Sequence, residues 1–271
     1  MTGSENDLFT FELRDDIALI GLNRPAKRNA LNDSAIEALE VAVRRAQSNA
    51  RVGVIHGHGD HFCAGLDLSE HASKTPIEGI HGSRRWHVVF DQIQRGGIPF
   101  VSALHGAVIG GGLELAASTH VRIADETAFF ALPEGQRGIF VGGSGSVRIA
   151  RMMTAARMTD LMLTGRVLNA DEAERFNLLN YVVAVGKALD KACELAGQIA
   201  SNAPLSNFAI TNALPRIQDM AQDDGLFVES LVAAFTQTSP EAADRLNAFI
   251  EKRTAKLSVA SLPGEALHKR D

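Results

Sequence analysis

The stretch His105-Gly106-Ala107-Val108-Ile109-Gly110-Gly111-Gly112-Leu113-Glu114-Leu115 decides how the chain is read. Phe100–Leu104, just before it, is an apolar run of strand length. That strand leads into a triple glycine, and the glycines open an apolar helix. A helix start carries unpaired N–H groups and the positive end of the helix dipole. Glycine lets a substrate come close to such a backbone, which suits a developing negative charge on oxygen. Tight strand–helix packing is the plainer use of the same glycines. A second loop of small residues, Phe62-Cys63-Ala64-Gly65-Leu66-Asp67-Leu68, follows the short buried run Gly53-Val54-Ile55. Glu114 falls in the first turn of the glycine-led helix. Glu134, in Leu132-Pro133-Glu134-Gly135, follows a short strand at Ala128–Phe130. Two glutamates from adjacent elements share acid–base work if they converge. If they do not, they are a cap and a solvated loop charge.

Outward from these segments, Leu8–Leu13 and Ile17–Leu22 read as strands around Asp15-Asp16. Asn32-Asp33-Ser34 offers helix caps, Ser34 with Glu37 has capping-box spacing, and Ile36, Leu39, Val43 and Ala46 then mark one helix face. His71–Gly82, polar and broken by Pro76 and two glycines, reads as a mobile connection before a helix at Trp86–Arg95. Val121–Ala124 is a further strand. From about Val147 the pattern is helical to the end. Alternating strands and helices followed by helices give an α/β core with a helical C-terminal region.

Composition sets the outer limits. At 271 residues and 29.0 kDa the chain allows one large domain or two modest ones. Its 45% hydrophobic content supports a sizeable core. The formal net charge of −5 gives no global basic excess for nucleic acid or an anionic membrane. No stretch approaches the ~20 apolar residues of a membrane span. Only Cys63 and Cys193 occur, without a CxxC, which fits a reducing compartment. The first ten residues lack the features of a secretory or transit signal, so a cytoplasmic location is expected.

Other motifs fall away. His56, His58 and His61 invite a metal reading, but exposed loop histidines beside glycines account for them as simply, and no metal is expected. Gly142-Gly143-Ser144-Gly145-Ser146 lacks the last glycine of a G-x-S-x-G nucleophile elbow. Neither glycine cluster fits a phosphate-cradling or dinucleotide fingerprint.

The run from Asn23-Arg24-Pro25 through Phe62-Cys63-Ala64-Gly65-x-Asp67-Leu68, Gly110-Gly111-Gly112-x-Glu114-Leu115, Pro133-Glu134 and Gly138 to Leu163-Thr164-Gly165, Ala170 and Ala173 resembles the crotonase superfamily, most closely enoyl-CoA hydratase. The resemblance covers roughly residues 10–256. It implies an α/β spiral of ββα units, over residues 1–195, and a C-terminal helical trimerisation region, over 196–271. It implies an acyl-CoA thioester substrate, with coenzyme A part of the substrate and no separate cofactor. By motif position the oxyanion donors would be the N–H groups of Ala64 and Gly111, and the water-activating pair Glu114 and Glu134. Ala64, Gly65, Leu66, Asp67, Leu68, Gly111 and Gly142 would line the substrate. Lys27 and Arg28, with Lys252 and Lys256 of the tail, would meet the coenzyme A phosphates. The presence of both glutamates favours hydration over isomerisation; hydrolysis or decarboxylation of a related acyl-CoA, and a non-catalytic oligomer that kept the fold as an interaction protein, are the alternatives. One segment departs from the family pattern G-x-x-P-G-x-G-G-x-x-R-L: Val141 replaces proline, and Gly143 and Ser144 stand where x and glycine are expected. Between Leu226 and Ile250, the apolar residues Leu226, Phe227, Leu231, Val232, Phe235, Leu246, Phe249 and Ile250 exceed what one helical layer buries. They point to a homotrimer or a dimer of trimers.

Overall fold

The computed structural model describes residues 8–71, 75–251 and 253. The element order is β1 (Phe9–Arg14), β2 (Ile17–Leu22), α1 (Asp33–Asn49), β3 (Val52–Gly57), α2 (Leu68–His71), α3 (Pro76–Arg95), β4 (Phe100–Leu104), β5 (Ala107–Ile109), α4 (Gly111–Ser118), β6 (Val121–Asp125), β7 (Phe129–Ala131), α5 (Gly145–Met153), α6 (Ala155–Thr164), β8 (Leu168–Asn169), α7 (Ala170–Arg175), β9 (Tyr181–Val183), α8 (Ala188–Ala200), α9 (Pro204–Asn212), α10 (Leu214–Ile217), α11 (Gln222–Thr236) and α12 (Pro240–Ile250). The large sheet runs β1-β2-β3-β4-β6-β9, parallel apart from the β1–β2 hairpin. The small sheet runs β5-β7-β8.

Strand alternation explains why the large sheet is covered on both faces. Leu19, Val52, Val54, Val101, Ala103 and Ile123 point to one side and pack under α8, against Ala188, Ala192, Leu195 and Ala196. Ala18, Ile20, Leu22, Ile55, Leu104 and Ala124 point to the other. They join Ile36, Leu39 and Val43 of α1, Phe90 and Ile93 of α3 and Leu115 of α4 in the main core.

The expected spiral of ββα units is present. The chain places β4 in the large sheet, β5 in the small one, then α4. It repeats the step with β6, β7 and α5. The turn before these is the same step in reduced form: β3 lies in the large sheet, and Cys63 makes a single bridge to Val108 of β5. The C-terminal region is helical as expected. The proposed division at residue 195 falls inside α8, which is one continuous helix on the sheet.

Three local readings are corrected. The α1 cap is Asn32, whose side chain accepts from the Ala35 N–H, so the Ser34–Glu37 box is not used. Most of the supposed connection His71–Gly82 is helix. Thr75 and Glu78 form a reciprocal capping box, Pro76 takes the first helical position, and α3 runs on to Arg95. The region after Val147 is not all helical, because β8 and β9 complete the two sheets.

Candidate active site

The glycine-led helix forms as read, with Gly110 as its N-cap and Gly111 as its first residue. Gly110 has φ 51°, and a side chain there would meet Glu134 Oε1 at 2.7 Å, so glycine is required twice over. Gly65 is likewise at φ 90°, where a Cβ would strike the Ile109 carbonyl at 2.6 Å. These two glycines let loop 62–67 lie directly on the start of α4.

The two loops present N–H groups to each other's edge. The Gly111 N–H precedes the first intrahelical bond. A Cβ on Gly111 would stand 3.5 Å from the Leu66 nitrogen. Among the described residues neither Leu66 N–H nor Gly111 N–H donates to a protein acceptor. The expectation for Ala64 is corrected here. Its N–H donates to the Arg28 carbonyl at 2.9 Å, so it is spent inside the fold. The cause is the local extended backbone: Leu31 N–H bonds Gly65 O, and Asp67 N–H bonds Leu31 O. Leu66 therefore turns its N–H away from residue 31 and toward α4. The free pair is Leu66 and Gly111.

Glu114 is buried, 3% exposed, one turn into α4. Its Oε1 accepts from the N–H groups of Gly143, at 2.9 Å, and Gly145, at 2.6 Å. Burial pushes its carboxyl up to about 7; these N–H groups oppose the rise, and the charge of Glu134 adds to it. Glu134 is also buried, and burial pushes its carboxyl up as well. Its Oε2 has no hydrogen-bond partner. The two glutamates thus converge on the start of α4.

Leu66, Gly111, Glu114 and Gly142 line one cavity of about 850 Å³, together with Ile80, Trp86 and Phe140; Glu134 lies against Gly110, off this wall. The Trp86 indole lies against Gly111 and Gly143. Ser83 donates to the Gly142 carbonyl at 2.6 Å and pins that loop. Trp86, Ser83 and Phe140 lie outside the motifs that singled out the glutamates; only the helical spacing of Trp86 with Val89 and Phe90 marked that face.

The other expected contacts separate. Asp67 is tied to Arg24 at 3.1 Å and to the Ser69 hydroxyl at 2.6 Å, which hold its carboxyl below the usual range. It braces the loop and is absent from the cavity wall. Leu68 is 38% exposed and likewise lies off that wall. Lys27 and Arg28 are exposed, next to the Arg28–Ala64 bond that joins their loop to the site. Lys252 and Lys256 lie outside the described residues. Among the described residues no group of histidine, cysteine and carboxylate side chains is placed to hold a metal. His58 Nε2 is instead 2.8 Å from Thr10 Oγ1, and His61 Nδ1 accepts the Ala107 N–H at 3.1 Å.

The chain matches the family model "Enoyl-CoA hydratase/isomerase" over residues 12–258. It is 32% identical to the enoyl-CoA hydratase EchA19 of Mycobacterium tuberculosis, over 89% of this chain and 93% of that protein. A solved structure from Rhodopseudomonas palustris is 48% identical with a TM-score of 0.89, over 95% of this chain and 99% of that one. An enoyl-CoA hydratase structure from Bacillus anthracis is 29% identical with a TM-score of 0.86, over 92% and 98%. A two-glutamate site at a glycine-led helix start, on a spiral shared along nearly the whole chain, leads to one conclusion: the chain belongs to the enoyl-CoA hydratase/isomerase family of the crotonase superfamily.

Proposed function

We propose that the chain catalyses reversible addition of water to a 2-enoyl-CoA thioester. The observation that carries this reading is the pairing of Glu114 and Glu134 beside two free N–H donors. The donors of Leu66 and Gly111 receive the thioester oxygen as it gains enolate charge. Glu114, whose ionised form is favoured by two backbone N–H bonds, accepts a proton from water. The oxygen of that water bonds to C3. Glu134, buried with an oxygen that accepts no hydrogen bond, delivers a proton to C2. Hydroxide at C3 and a proton at C2 balance the addition, and proton exchange between the glutamates restores the resting pair.

The substrate reading extends to the surface. Lys27 and Arg28, exposed beside the donor loop, supply charge for the coenzyme A phosphates. Leu226, Phe227, Leu231, Phe235, Leu246, Phe249 and Ile250 are all at least 54% exposed, which supports a homotrimer or a dimer of trimers. Light scattering that gave a stable particle near 29.0 kDa would end the oligomer reading. For the reaction, a panel of 2-enoyl-CoA esters is followed by loss of enoyl absorbance. Turnover that vanishes in both Glu114→Gln and Glu134→Gln is expected. An enzyme that shifts the double bond of a 3-enoyl-CoA, and keeps doing so in Glu114→Gln, would overturn hydration.

A further inference from the structure

We propose that Arg148 is a positioning residue that acts through Ser144, clamping the turn that aims two backbone N–H groups at Glu114. Ser144 sits at φ 96°, ψ 8°, a left-handed conformation that side-chain-bearing residues rarely adopt. It occupies the place where the family pattern has glycine, so the backbone lacks the freedom that the turn requires. Its two neighbours, Gly143 and Gly145, are the ones that donate to Glu114 Oε1. A relaxed Ser144 would rotate both N–H groups off the carboxylate.

The device that prevents this lies one turn along α5. Arg148 is a buried cation, 8% exposed, and its guanidinium is held at three points. Nη1 donates to Ser144 Oγ, Nε to Gln94 Oε1 at 2.7 Å, and Nη2 to Asp91 Oδ1 at 2.9 Å. Its backbone N–H bonds the Ser144 carbonyl at 3.0 Å as well. Gln94 and Asp91 both belong to α3. The clamp therefore ties a strained residue to a separate, rigid helix, and a planar fork does this in a way that an ammonium does not.

The charged groups around Glu114 are few. Glu134 faces it from the loop after β7 and Arg148 from α5. Asp91 and Arg95 of α3 stand behind Arg148, and His87 and Arg84 of α3 and Asp33 of α1 line the same cavity as Glu114. Loss of the clamp raises the Glu114 midpoint, because its carboxylate loses aligned N–H donors.

The activity arm of the test rests on the hydratase reading, so the primary readout is independent of it. Carbon-13 NMR of labelled glutamate, assigned with Glu114→Gln, follows the Glu114 midpoint. The pH profile of kcat/KM on a short 2-enoyl-CoA is the second readout. Arg148→Ala and Arg148→Lys are both expected to raise the midpoint by about one pH unit. Ser144→Ala, which removes only the clamped hydroxyl, raises it in the same direction. In a Ser144→Gly background, where the turn is unstrained, Arg148→Ala is expected to move it by less than half as much. A wild-type midpoint in Arg148→Lys, or an equal shift in both backgrounds, would show that charge alone acts and would overturn the clamp. So would a lowered melting temperature with an unmoved midpoint. If Arg148→Ala fails to fold, Ser144→Ala decides: an unmoved midpoint overturns the proposal. If no ester is hydrated, the NMR shifts still judge the clamp, separately from the reaction.

Discussion

Replacing the backbone N–H of Leu66 by an ester oxygen, with the α-hydroxy analogue of leucine at that position, removes one donor and leaves every side chain in place. The structure fixes what each linkage stands to lose. Among the described residues the Leu66 N–H reaches no acceptor, so no internal bond is broken. The Gly65 carbonyl becomes a poorer acceptor for Leu31 N–H, at a cost of at most about 1 kcal/mol. In the transition state the same N–H is one of two oxyanion donors, and losing one is worth about 2.7–4 kcal/mol, or on the order of 10²–10³ in kcat. The matched ester at Ala64 breaks the 2.9 Å bond to the Arg28 carbonyl. That costs about 0.5–1.5 kcal/mol of stability. For a chain of this size it lowers the melting temperature by about 2–4 °C per kcal/mol. Turnover, read as loss of enoyl absorbance, and calorimetry on both esters separate the two roles. The Leu66 ester should lose rate on the order of 10²–10³, while its melting temperature falls by no more than the few degrees of a weakened Leu31 bond. The Ala64 ester should keep its rate and fall further, since it breaks the Arg28 bond and also weakens the Ile109 N–H bond to the Cys63 carbonyl. Rate loss confined to the Ala64 ester would refute the donor assignment.

Three further outcomes are expected. Glu134→Gln should lower kcat by about 10²–10⁴ with little change in ester binding. Lys27→Ala with Arg28→Ala should weaken coenzyme A binding and flatten its salt dependence in calorimetric titrations, and unchanged salt dependence would rule out the phosphate role. His56 is half-buried beside His58 and desolvation pushes it down to about 4 from 6.5, so the unfolded chain binds the extra proton first. Stability is therefore lost as pH falls from 6.5 toward 4, by about 3 kcal/mol at about 1.4 kcal/mol per pH unit. Glu114, pushed up to about 7, works in the opposite direction over the same range. Denaturant titrations should show His56→Gln gaining stability relative to wild type on acidification and Glu114→Gln losing it. Parallel pH curves for wild type and His56→Gln would refute the histidine argument.

The parts of the fold with strong period and punctuation were legible. Ile17–Leu22 and Phe100–Leu104 are strands to the residue, because each is a short run dominated by apolar residues and closed by turn residues. The start of α4 was legible because three glycines after a strand leave few other conformations. The start of α3 was not read, although Thr75 and Glu78 carry a capping box. Pro76 reads as a breaker in the sequence, whereas in the fold it opens the helix. β8 and β9, of two and three residues, are too short for any periodicity and exist only because neighbouring strands offer them a ladder. At the site, both glutamates were found by their place after glycine and strand. Leu66 was missed as a donor because motif position does not report which way an N–H points. Period-two pairing with residues 28–31 decides that, and the partner segment is more than thirty residues away. Ser144 stood out only as a departure from pattern; its left-handed backbone and its partner Arg148 emerge from the packing of α5 on α3.

Why these residues meet at all follows from the spiral. Its successive turns each contribute one part of the chemistry at the same point of the repeat. The turn after β3 brings the Leu66 N–H. The turn after β4 and β5 brings the Gly111 N–H and Glu114. The turn after β6 and β7 brings Glu134, then Gly143 and Gly145 at the start of α5. The small sheet sets the spacing: Cys63 bridges Val108 of β5, and β5 pairs with β7, so the three turns are locked side by side by backbone bonds. A backbone repeat of this kind leaves no repeat in the sequence, since each turn carries a different functional group. It also means that the proposed donor, base and acid are separately supported. A change in one turn should alter one role first, which is why the ester at Leu66, the amide at Glu134 and the clamp at Arg148 should give three distinguishable kinetic signatures.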